Sequence, residues 1–395
     1  MKPRIAIIIE RANIALGGAE RSVVEQAAAL QTMGYEVNVL AATGQTNTQN
    51  IHILRPHVAR KRTCYFSFAG ALKKYLSEHH YDIIHSVVPL GFADVYQPRG
   101  GTYAESILRN AASYQNKLIE SYKRITAFAN LRRTILLRAE KKLCKKPDSP
   151  LIVALSQYVA EQFRRHYGLG DDRLTVIPNG VKTDNQIDPA RTDRLRAQIL
   201  AELGLAQRDK PVLFLFVANN FRLKGLAVLI KAMQWQRTDN MGHQVYLIVV
   251  GAGRPHKYRR LAKELGVHKK IIFLGAIRDI QNTLAIADVA VLPTFYDPSS
   301  RFILEAIAAG KPVITTSFNG ATDLFTNNRH GKVIDKPEDI GAMAEAINYF
   351  TDTNNIQKAA EAIVADNLKE NISISRVARQ LDSLYESVLQ RKGLK

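Results

Sequence analysis

The sequence of 395 residues has only two cysteines, a single tryptophan and no apolar run long enough to cross a bilayer. Two cysteines exclude a disulfide framework and a cysteine-ligated zinc site, and they are typical of a protein in a reducing cytoplasm. A membrane-spanning helix would need ~20 consecutive apolar residues. The N-terminal run MKPRIAIIIERAN is shorter than a signal peptide, so we interpret IAIII as a buried first strand.

Acidic residues are also few compared with basic ones. The chain has 36 Asp and Glu against 55 Lys and Arg, a formal net charge of +19. This excess predicts a polyanionic partner, which can be nucleic acid, nucleotide phosphate or an anionic membrane surface. A hydrophobic content of 46% excludes wholesale disorder. At about 150 residues per domain, the length predicts two domains.

Short β-branched runs alternate with helical periodicity along most of the chain, which predicts a parallel α/β architecture. In the first half we predict a helix at 18–33 and strands at 4–10, 36–41, 81–88, 151–154 and 174–177. In the second half the predicted strands are the runs VLFLFVA, VYLIVVG, KIIFLG, VAVLPT, KPVITT and GKVI. A polar stretch places a domain boundary near residues 180–210.

Two segments depart from this alternation. Residues 105–146 carry 11 Lys or Arg and three Glu, with no strand signal. Their apolar residues are interleaved with the basic ones, which favours an interfacial helix on an anionic membrane, although two ordinary solvated helices would show the same pattern. The C-terminal residues 374–389 have the spacing of an amphipathic helix.

Two glycine pairs mark candidate ligand sites. Gly17 and Gly18, in GGAER, stand where the first helix begins, so backbone N–H groups there can approach an anion. Gly251 and Gly253, in VVGAGR, follow a strand. A dinucleotide fingerprint would need a third glycine at His256, so an NAD site is disfavoured, but a tight turn at a strand end still suits a nucleotide. The structural alternative for each pair is a simple turn.

Two further motifs carry charge. Arg222 and Lys224, in NNFRLKG, are placed to hold a diphosphate, with a solvated basic loop as the alternative. Asp297 and Glu305 lie eight residues apart in FYDPSSRFILEAIAAG. Glu305 is on an otherwise apolar helix, where its carboxylate needs a partner such as sugar or ribose hydroxyls, or a backbone group. The N–H groups at the start of that helix are predicted to face a phosphate, and they belong to Ser300, Arg301 and Phe302.

Together these motifs resemble the E-x7-E region of retaining, nucleotide-sugar-dependent glycosyltransferases of family four, which have the GT-B fold. The resemblance covers nearly the whole chain through the runs GGAER, PNGV, FRLKG, VVGAG, FLGAIRDI, ADVAVLPT and FNGATD. Within the family, DVYQPRGGTYAE and the basic segment after it are similar to the lipopolysaccharide core glucosyltransferase I subfamily. The fold implied is two Rossmann-like domains that face a central cleft, with the C-terminal helix crossing back to the N-terminal domain.

The resemblance also implies roles for individual residues. Lys224 and Arg222 would hold the diphosphate, Glu305 the ribose hydroxyls and Asp297 the hydroxyls of the donor sugar. Asp297 replaces the usual first Glu, and Asn219 stands where many relatives have Arg, so the missing charge is assigned to Arg222. Further implied donor contacts are Gly17, Gly18, Asn219, Gly251, Gly253, Ile277, Arg278, Ser300, Arg301 and Phe302.

On the acceptor side, many relatives place a His or an Asp after the fourth strand. The candidates here are Asp94 and Arg99, although Asp94 is predicted at a strand start, which disfavours it, and an arginine cannot act as a base at neutral pH. His85 fits a buried strand-end histidine better than a catalyst. The implied division assigns 1–182 with 374–395 to the acceptor and 183–373 to the donor.

The implied reaction is retaining transfer of a hexose, with glucose as the first choice, from a UDP-sugar to a lipopolysaccharide core or other lipid-linked saccharide. The enzyme would be peripheral on the cytoplasmic face of the inner membrane. No cofactor is expected, and no metal, since the sequence has no D-x-D pair. A GDP- or ADP-sugar donor and an exopolysaccharide or glycolipid acceptor remain alternatives. A nucleic-acid-binding protein is an alternative on charge alone, and a non-hydrolysing epimerase would share the fold without needing FRLKG or E-x7-E.

Overall fold

The structure, a computed structural model, describes residues 2–13, 17–44, 50–54, 64–146, 150–184, 186–206, 209–236, 244–277 and 280–394. They form two compact units, each built on one β-sheet. The first unit comprises Met1–Ala111, Lys117–Val181 and Ser373–Lys395, and the second comprises Ala112–Asn116 and Lys182–Ile372.

The strands of the described residues are, in chain order, β1 (Arg4–Ala12), β2 (Glu36–Gly44), β3 (Ile51–Ile53), β4 (Ile83–Ser86), β5 (Val95–Tyr96), β6 (Leu151–Ala154), β7 (Leu174–Val176), β8 (Val212–Val217), β9 (Val245–Val250), β10 (Ile271–Gly275), β11 (Val289–Leu292), β12 (Val313–Thr316) and β13 (Gly331–Ile334).

The α-helices are α1 (Gly18–Thr32), α2 (Tyr65–Glu78), α3 (Tyr103–Ala112), α4 (Lys117–Thr126), α5 (Leu131–Lys145), α6 (Gln157–Tyr167), α7 (Pro189–Glu202), α8 (Leu226–Ala232), α9 (His256–Glu264), α10 (Gln281–Ile286), α11 (Arg301–Ala308), α12 (Ile340–Tyr349), α13 (Thr353–Ala365), α14 (Leu368–Asn371) and α15 (Ile374–Arg391).

Both sheets are parallel and doubly wound. The first has the strand order β3-β2-β1-β4-β5-β6-β7, and the second has β10-β9-β8-β11-β12-β13. The strand order reverses between β1 and β4 in the first sheet and between β8 and β11 in the second. Ligands of such sheets bind outside the carboxyl ends of the strands at this switch point. The predicted fold class, two Rossmann-like α/β domains, is confirmed.

The apolar runs that predicted the strands form the buried layer of each sheet. Ile5, Ile7 and Ile8 of β1 are fully buried, and Ile7 pairs with Val39 on one side and His85 on the other. A strand that is covered on both faces has a continuous hydrophobic run in place of an alternating one, which explains IAIII.

The largest differences between predicted and observed strand ends are in three strands, and two strands are additional. β1 and β2 extend to Ala12 and Gly44, whereas β4 covers only four residues of the predicted 81–88. β3 and β5 have three and two residues. Strands this short are below the length at which periodicity gives a signal.

The C-terminal helix α15 belongs to the first unit, although the whole of Lys182–Ile372 precedes it in the chain. Its buried side chains include Leu381, Tyr385 and Val388, which pack in the same core as α1. The Tyr385 hydroxyl lies 2.6 Å from Nδ1 of His85. Burial lowers the pKa of His85 to about 3, so the imidazole is neutral at neutral pH. His85 is therefore a structural link between β4 and α15.

The regular secondary structure of the basic segment at residues 105–146 consists of helices, with no strand, as the lack of a strand signal predicted. It contains most of α3, all of α4 and α5, and a short 3₁₀ turn at Ala127–Ala129. The carboxylate of Glu140, on α5, accepts hydrogen bonds from the hydroxyls of Tyr96 and Tyr167 and from the backbone N–H of Tyr103. This buried carboxylate fixes α5 to β5, α3 and α6. No helix in the described part of the chain is both long and apolar enough to cross a membrane.

Candidate functional site

Lys224 and Asp297 form an ion pair at the switch point of the second sheet. Lys224 follows β8 and Asp297 follows β11, the two strands between which the order reverses. The Lys224 Nζ donates hydrogen bonds to Asp297 Oδ2 at 2.6 Å and to the Tyr296 carbonyl at 2.8 Å. Two residues that the sequence assigned to a donor are thus brought together at the edge where an open parallel sheet binds ligands.

The loop after β8 is held tightly against the loop after β11. The Phe295 N–H donates to the Leu223 carbonyl at 2.9 Å. Gly225 has φ of +79°, and a Cβ there would lie 1.9 Å from the Pro293 carbonyl oxygen. Only glycine fits this close approach, so the last residue of FRLKG sets how near Lys224 comes to the β11 loop.

The Asp297 carboxylate is held from both sides. Its Oδ1 accepts from the Ser299 N–H at 3.3 Å, while its Oδ2 accepts from Lys224. The backbone at Asp297 also pairs with the FNGATD loop, since the Asp297 N–H donates to the Phe318 carbonyl and the Gly320 N–H donates to the Asp297 carbonyl, each at 2.9 Å. These two hydrogen bonds fix the backbone of Asp297 and so the position from which its side chain extends.

The start of α11 corrects one prediction. The Ser300 N–H, expected to face a phosphate, donates to Asn319 Oδ1 at 3.2 Å, and the Ser300 hydroxyl caps the Ile303 N–H. Arg301 and Phe302 occupy the first two helical positions, whose N–H groups have no acceptor within a helix. Any anion at this helix end would therefore be met by Arg301 and Phe302, not by Ser300.

Glu305 already has a charged partner within the protein. The Arg301 NH2 lies 3.3 Å from Glu305 Oε1, one helical turn away, and both side chains are buried. The sequence analysis considered ribose hydroxyls or a backbone group for this carboxylate and did not consider Arg301. A carboxylate oxygen that already accepts from an arginine has further lone pairs with which to accept from hydroxyl groups.

A cavity of ≈ 380 Å³ lies at the carboxyl ends of β9 and β10. Its lining includes Phe221, Gly251, Gly253 and Ala276. A Cβ on Gly253 would lie 2.6 Å from the Phe221 ring, and one on Gly251 would lie 1.7 Å from the Ala218 carbonyl oxygen. Packing against the β8 loop therefore explains both glycines, and the cavity beside them has the size of a small-ligand pocket.

Three further candidates for donor contacts are Asn219, Ile277 and Arg278. Asn219 borders the same turn, because its Oδ1 accepts from the Ala252 N–H at 3.3 Å. Ile277 is the next residue in the chain after Ala276, which lines the cavity. Arg278 lies outside the described residues.

Arg222 is held by residues to which the sequence analysis gave no role. Its Cζ lies 3.9 Å from the centroid of the Tyr114 ring, and its NH1 donates a hydrogen bond to the Ser113 hydroxyl. Both partners belong to the segment Ala112–Asn116 of the second unit. Burial lowers the pKa of Arg222 from its ordinary value, but an arginine remains charged at neutral pH.

In the first unit, Gly17 caps α1 and Gly18 begins it. No side chain in the described part of the chain caps the α1 N-terminus. A Cβ on Gly17 would meet, among the described residues, only the Glu20 carboxylate at 3.3 Å. Among the described residues, steric contacts therefore exclude a Cβ less strongly at Gly17 than at Gly251 or Gly253. Glu20 accepts from Arg11 at 2.9 Å, which fixes the helix start to the end of β1.

Arg99 joins two of the motifs of the first unit. Its NH1 donates to Asn179 of the PNGV run at 2.9 Å, and its NH2 donates to Gln26 of α1. The loops that follow β5 and β7 thus meet at the carboxyl edge of the first sheet. Arg99 remains a candidate for the acceptor side.

Asp94 does not share this edge. It precedes β5, and its Oδ2 accepts from the Ile84 N–H at 2.8 Å and from the Lys392 Nζ at 3.2 Å. These contacts place it at the amino ends of the strands, opposite the edge where Arg99 lies. We therefore withdraw Asp94 as an acceptor-side candidate and assign it to the attachment of α15.

Two family models match the chain. Residues 16–185 match the model described as Glycosyltransferase Family 4, and residues 204–366 match the model described as Glycosyl transferases group 1. The two matches cover most of both units. The chain belongs to glycosyltransferase family 4.

Individual relatives agree with this assignment. The chain is 24% identical to the lipopolysaccharide glucosyltransferase WaaG of Escherichia coli K12, over 88% of this chain and 95% of that protein. The crystal structure of WaaG superposes with a TM-score of 0.75 at 22% identity and covers 96% of this chain and 99% of that one. The Anabaena protein Alr3699/HepE, solved with UDP-glucose, superposes with a TM-score of 0.69 at 17% identity over 98% of this chain and 100% of that one. These structural matches show the GT-B fold.

For a family 4 glycosyltransferase, the second unit has the chemistry of an anion and hydroxyl site. Lysine and arginine side chains donate to phosphate oxygens, and carboxylates such as those of Asp297 and Glu305 accept from hydroxyl groups. Among the described residues, no group of three or more His, Cys, Asp or Glu side chains is arranged to hold a metal ion.

Three residues that contact candidate site residues of this glycosyltransferase were not predicted from the sequence. Asn319 was inside the quoted FNGATD run, and an Asn that follows a strand is a signal for loop bonding. Ser113 and Tyr114 contact Arg222 across more than 100 positions of sequence. No local pattern reports a contact of that separation.

Proposed function

We propose that this glycosyltransferase transfers a hexose, with glucose as the first choice, from a UDP-sugar to a lipid-linked saccharide with retention of anomeric configuration. The observation that carries the proposal is the Lys224–Asp297 pair at the switch point of the second sheet. It sets a cation for the diphosphate beside an acceptor for sugar hydroxyls. The uracil would occupy the cavity beside Phe221 and Gly253, and the ribose would bind Glu305.

The leaving group would be stabilised by the protein's own charges. Lys224 and Arg222 would neutralise the diphosphate as the bond to the sugar breaks, with the first N–H groups of α11 adding their partial positive charge. No divalent ion is needed in this scheme. Fixed charges in a partly dry site cost no reorganisation during the reaction.

The reaction would proceed on one face of the sugar. The bond from the sugar C1 to the β-phosphate oxygen breaks, the acceptor oxygen forms its bond to C1, and the acceptor proton moves to the departing phosphate oxygen. Atoms and charge balance without a covalent enzyme intermediate. Family 4 membership and the names of the relatives, a lipopolysaccharide glucosyltransferase and a protein bound to UDP-glucose, support glucose and UDP.

A thermal-shift screen tests the donor. At a concentration ~100 times its dissociation constant, a ligand should stabilise the folded protein by ~2.7 kcal/mol. UDP-glucose should raise the melting temperature, and GDP- and ADP-sugars should not. A higher melting temperature with a GDP- or ADP-sugar alone would identify that nucleotide sugar as the donor in place of a UDP-sugar. A higher melting temperature with arbitrary DNA, and with no nucleotide sugar, would favour a nucleic-acid-binding protein. Proton NMR of the product, which reports the configuration at C1, tests retention.

The first unit would bind the acceptor and the membrane. Four apolar side chains of α4 lie on one helical face, and all are exposed: Leu118, Ile119, Tyr122 and Ile125. Leu118 is 83% exposed and Ile125 is 74% exposed. We call these four residues the apolar face of α4. Large exposed apolar patches mark interaction sites.

Basic residues flank the apolar face. At 100° per residue, Lys117 lies beyond one edge of it and Lys123 beyond the other, while Arg124 and Glu120 both lie on the opposite side of the helix. Apolar side chains would enter the headgroup region while lysine and arginine meet anionic headgroups. The proposed occupant is therefore the anionic cytoplasmic leaflet of the inner membrane, which would bring a lipid-linked acceptor to the first unit.

Arg132 is not part of this basic flank. Its NH2 is paired with Glu10 at the end of β1, so it attaches α5 to the first unit. A charge variant that tests the membrane proposal should therefore leave Arg132 unchanged.

Co-sedimentation with vesicles tests the membrane proposal. Each basic residue near an anionic surface contributes ~1 kcal/mol, so replacing Lys117, Lys123 and Arg124 with Ser should release the protein. Replacing Leu118, Tyr122 and Ile125 with Ser should do the same. The matched control replaces Lys257, Arg260 and Lys263, exposed residues of α9, with Ser. Equal pelleting of the control and the α4 charge variant would contradict membrane docking and leave the donor assignment standing.

A further inference from the structure

The segment between α3 and α4 contacts Arg222, which lies in the loop after β8. The Tyr114 ring lies against the Arg222 guanidinium at 3.9 Å from centroid to Cζ, within the range of a cation–π contact. The Ser113 hydroxyl, which is buried, accepts from the Arg222 NH1. Ala112–Asn116 cluster with the second unit, whereas the rest of α3 and all of α4 cluster with the first.

The backbone of this segment is a defined turn. The Gln115 N–H donates to the Ala112 carbonyl at 3.1 Å, and Gln115 has φ of +57°, a left-handed conformation that a glutamine rarely adopts. Strained residues of this kind persist where the surrounding structure imposes them. The turn therefore presents Ser113 and Tyr114 to Arg222 in a set geometry.

The contact leaves the arginine able to bind an anion. A ring against the flat face of a guanidinium uses none of its N–H donors, which lie in the plane. Arginine also has a large side-chain entropy, so a side chain that is already fixed loses less on binding a phosphate.

We propose that Tyr114 is a positioning residue, which holds Arg222 in place for the diphosphate of the donor. The inference rests on the proposed function, since it assumes that Arg222 contacts the diphosphate. Tyr114 itself touches neither the donor nor the reacting atoms in this scheme. Tyr114 lies outside the FRLKG and E-x7-E motifs, to which the proposed donor contacts of the second unit otherwise largely belong.

Calorimetric titration of the full chain with UDP tests the proposal. Tyr114→Ala should weaken UDP binding by about fivefold, the size of a cation–π contact. Tyr114→Phe should restore wild-type affinity, because the ring face is kept. Arg222→Ala should weaken binding more, and the double variant Tyr114→Ala with Arg222→Ala should be no weaker than Arg222→Ala alone. Gln115→Gly, which adopts the left-handed conformation without strain, should keep the turn and bind UDP as the wild type does.

The outcomes separate this inference from the proposed function. If Arg222→Ala weakens UDP binding and Tyr114→Ala does not, or tightens it, the positioning role is overturned and the donor site stands. If the losses of UDP affinity in the two single variants add in full in the double variant, Tyr114 affects UDP binding independently of Arg222, and the positioning role is also overturned. If Arg222→Ala binds UDP as the wild type does, the assignment of Arg222 to the diphosphate falls, and the positioning role falls with it. Circular dichroism of each variant verifies the fold.

Discussion

Lys224 and Asp297 neutralise each other across two loops of the second sheet, with 2.6 Å between Nζ and Oδ2. A diphosphate that binds Lys224 must compete with this carboxylate. The ion pair therefore opposes the binding of a bare nucleotide. It also keeps Asp297 close to the position where a sugar attached to that diphosphate would lie.

Replacing Asp297 with Asn should separate binding from turnover. Without the carboxylate, Lys224 is available to the diphosphate, so UDP should bind about fivefold more tightly, which corresponds to ~1 kcal/mol. Turnover should fall, because the amide is a weaker acceptor for sugar hydroxyls. Calorimetry with UDP and a steady-state assay with UDP-glucose measure the two effects. Weaker UDP binding by Asp297→Asn would contradict the competition. Asp297→Glu, which restores the usual family residue, is the control.

Replacing Lys224 with Ala should weaken UDP binding by roughly 1.5–3 kcal/mol, the scale of a hydrogen bond to a charged group. The loss has two parts, since the variant also leaves Asp297 without its partner beside the diphosphate. Lys224→Arg should recover part of the affinity. Titration with UDP at two salt concentrations measures the change. Unaltered affinity in a folded variant would remove Lys224 from the site.

Replacing Glu305 with Gln should reduce ribose recognition while the fold survives, because Gln still accepts from Arg301. We expect the preference for UDP over 2′-deoxy-UDP to fall by about tenfold, the loss of a charge-assisted hydrogen bond. Competition binding with the two nucleotides measures the preference. An unchanged ratio would show that Glu305 does not meet the ribose.

The stability of the protein should depend on pH through Glu140. Burial raises the pKa of this carboxyl from 4.5 to about 7. A raised pKa in the folded state means that its contribution to stability is complete below pH 4.5 and lost as pH rises through 7. The loss is on the order of 3 kcal/mol at most. Urea unfolding of the wild type and Glu140→Gln between pH 5 and 8 should show the two curves converging or crossing as pH rises. Parallel curves would contradict the raised pKa.

Replacing Gly180 with Ala should destabilise the first unit. An added Cβ would lie 2.7 Å from Ile374 Cα, at the start of α15. Overpacking of this kind costs about 1–3 kcal/mol. The control is Gly70→Ala in α2, where a Cβ meets nothing within 4 Å and helix propensity favours Ala by up to ~1 kcal/mol. Equal thermal stability of the two variants would contradict the contact.

The sheets and much of the donor edge were predictable because their signals are local. Apolar runs define β1 and β8, and a glycine or a charged residue after a strand marks the edge where Lys224 and Asp297 meet. Gly225 was visible as part of a motif, although its reason, the Pro293 carbonyl, was not. A sequence motif therefore predicts the edge of the sheet at which a residue lies, but it does not predict which residue it will contact.

The contacts that the sequence analysis missed depend on tertiary structure. Arg301 was read as a backbone donor, yet its side chain pairs with Glu305 one turn later, and the spacing alone allowed either. The Ser300 N–H was assigned to a phosphate because its acceptor, Asn319, comes from a different loop. Asp94 was a candidate only because the resemblance places a His or an Asp after the fourth strand, and its predicted position at a strand start, which disfavoured it, agrees with the structure.

The attachment of α15 to the first unit sets the order in which the chain can fold as it is synthesised. The Ile374 N–H bonds the Val181 carbonyl at 2.9 Å, so the segments that leave and re-enter the first unit lie side by side. Between them lie Lys182–Ile372, which take roughly 10–40 s to synthesise at about 5–20 residues per second. During that interval the core around α1 lacks Leu381 and Tyr385. All residues of the second unit, although later in the chain, are therefore synthesised before the N-terminal unit receives α15 and can complete its core.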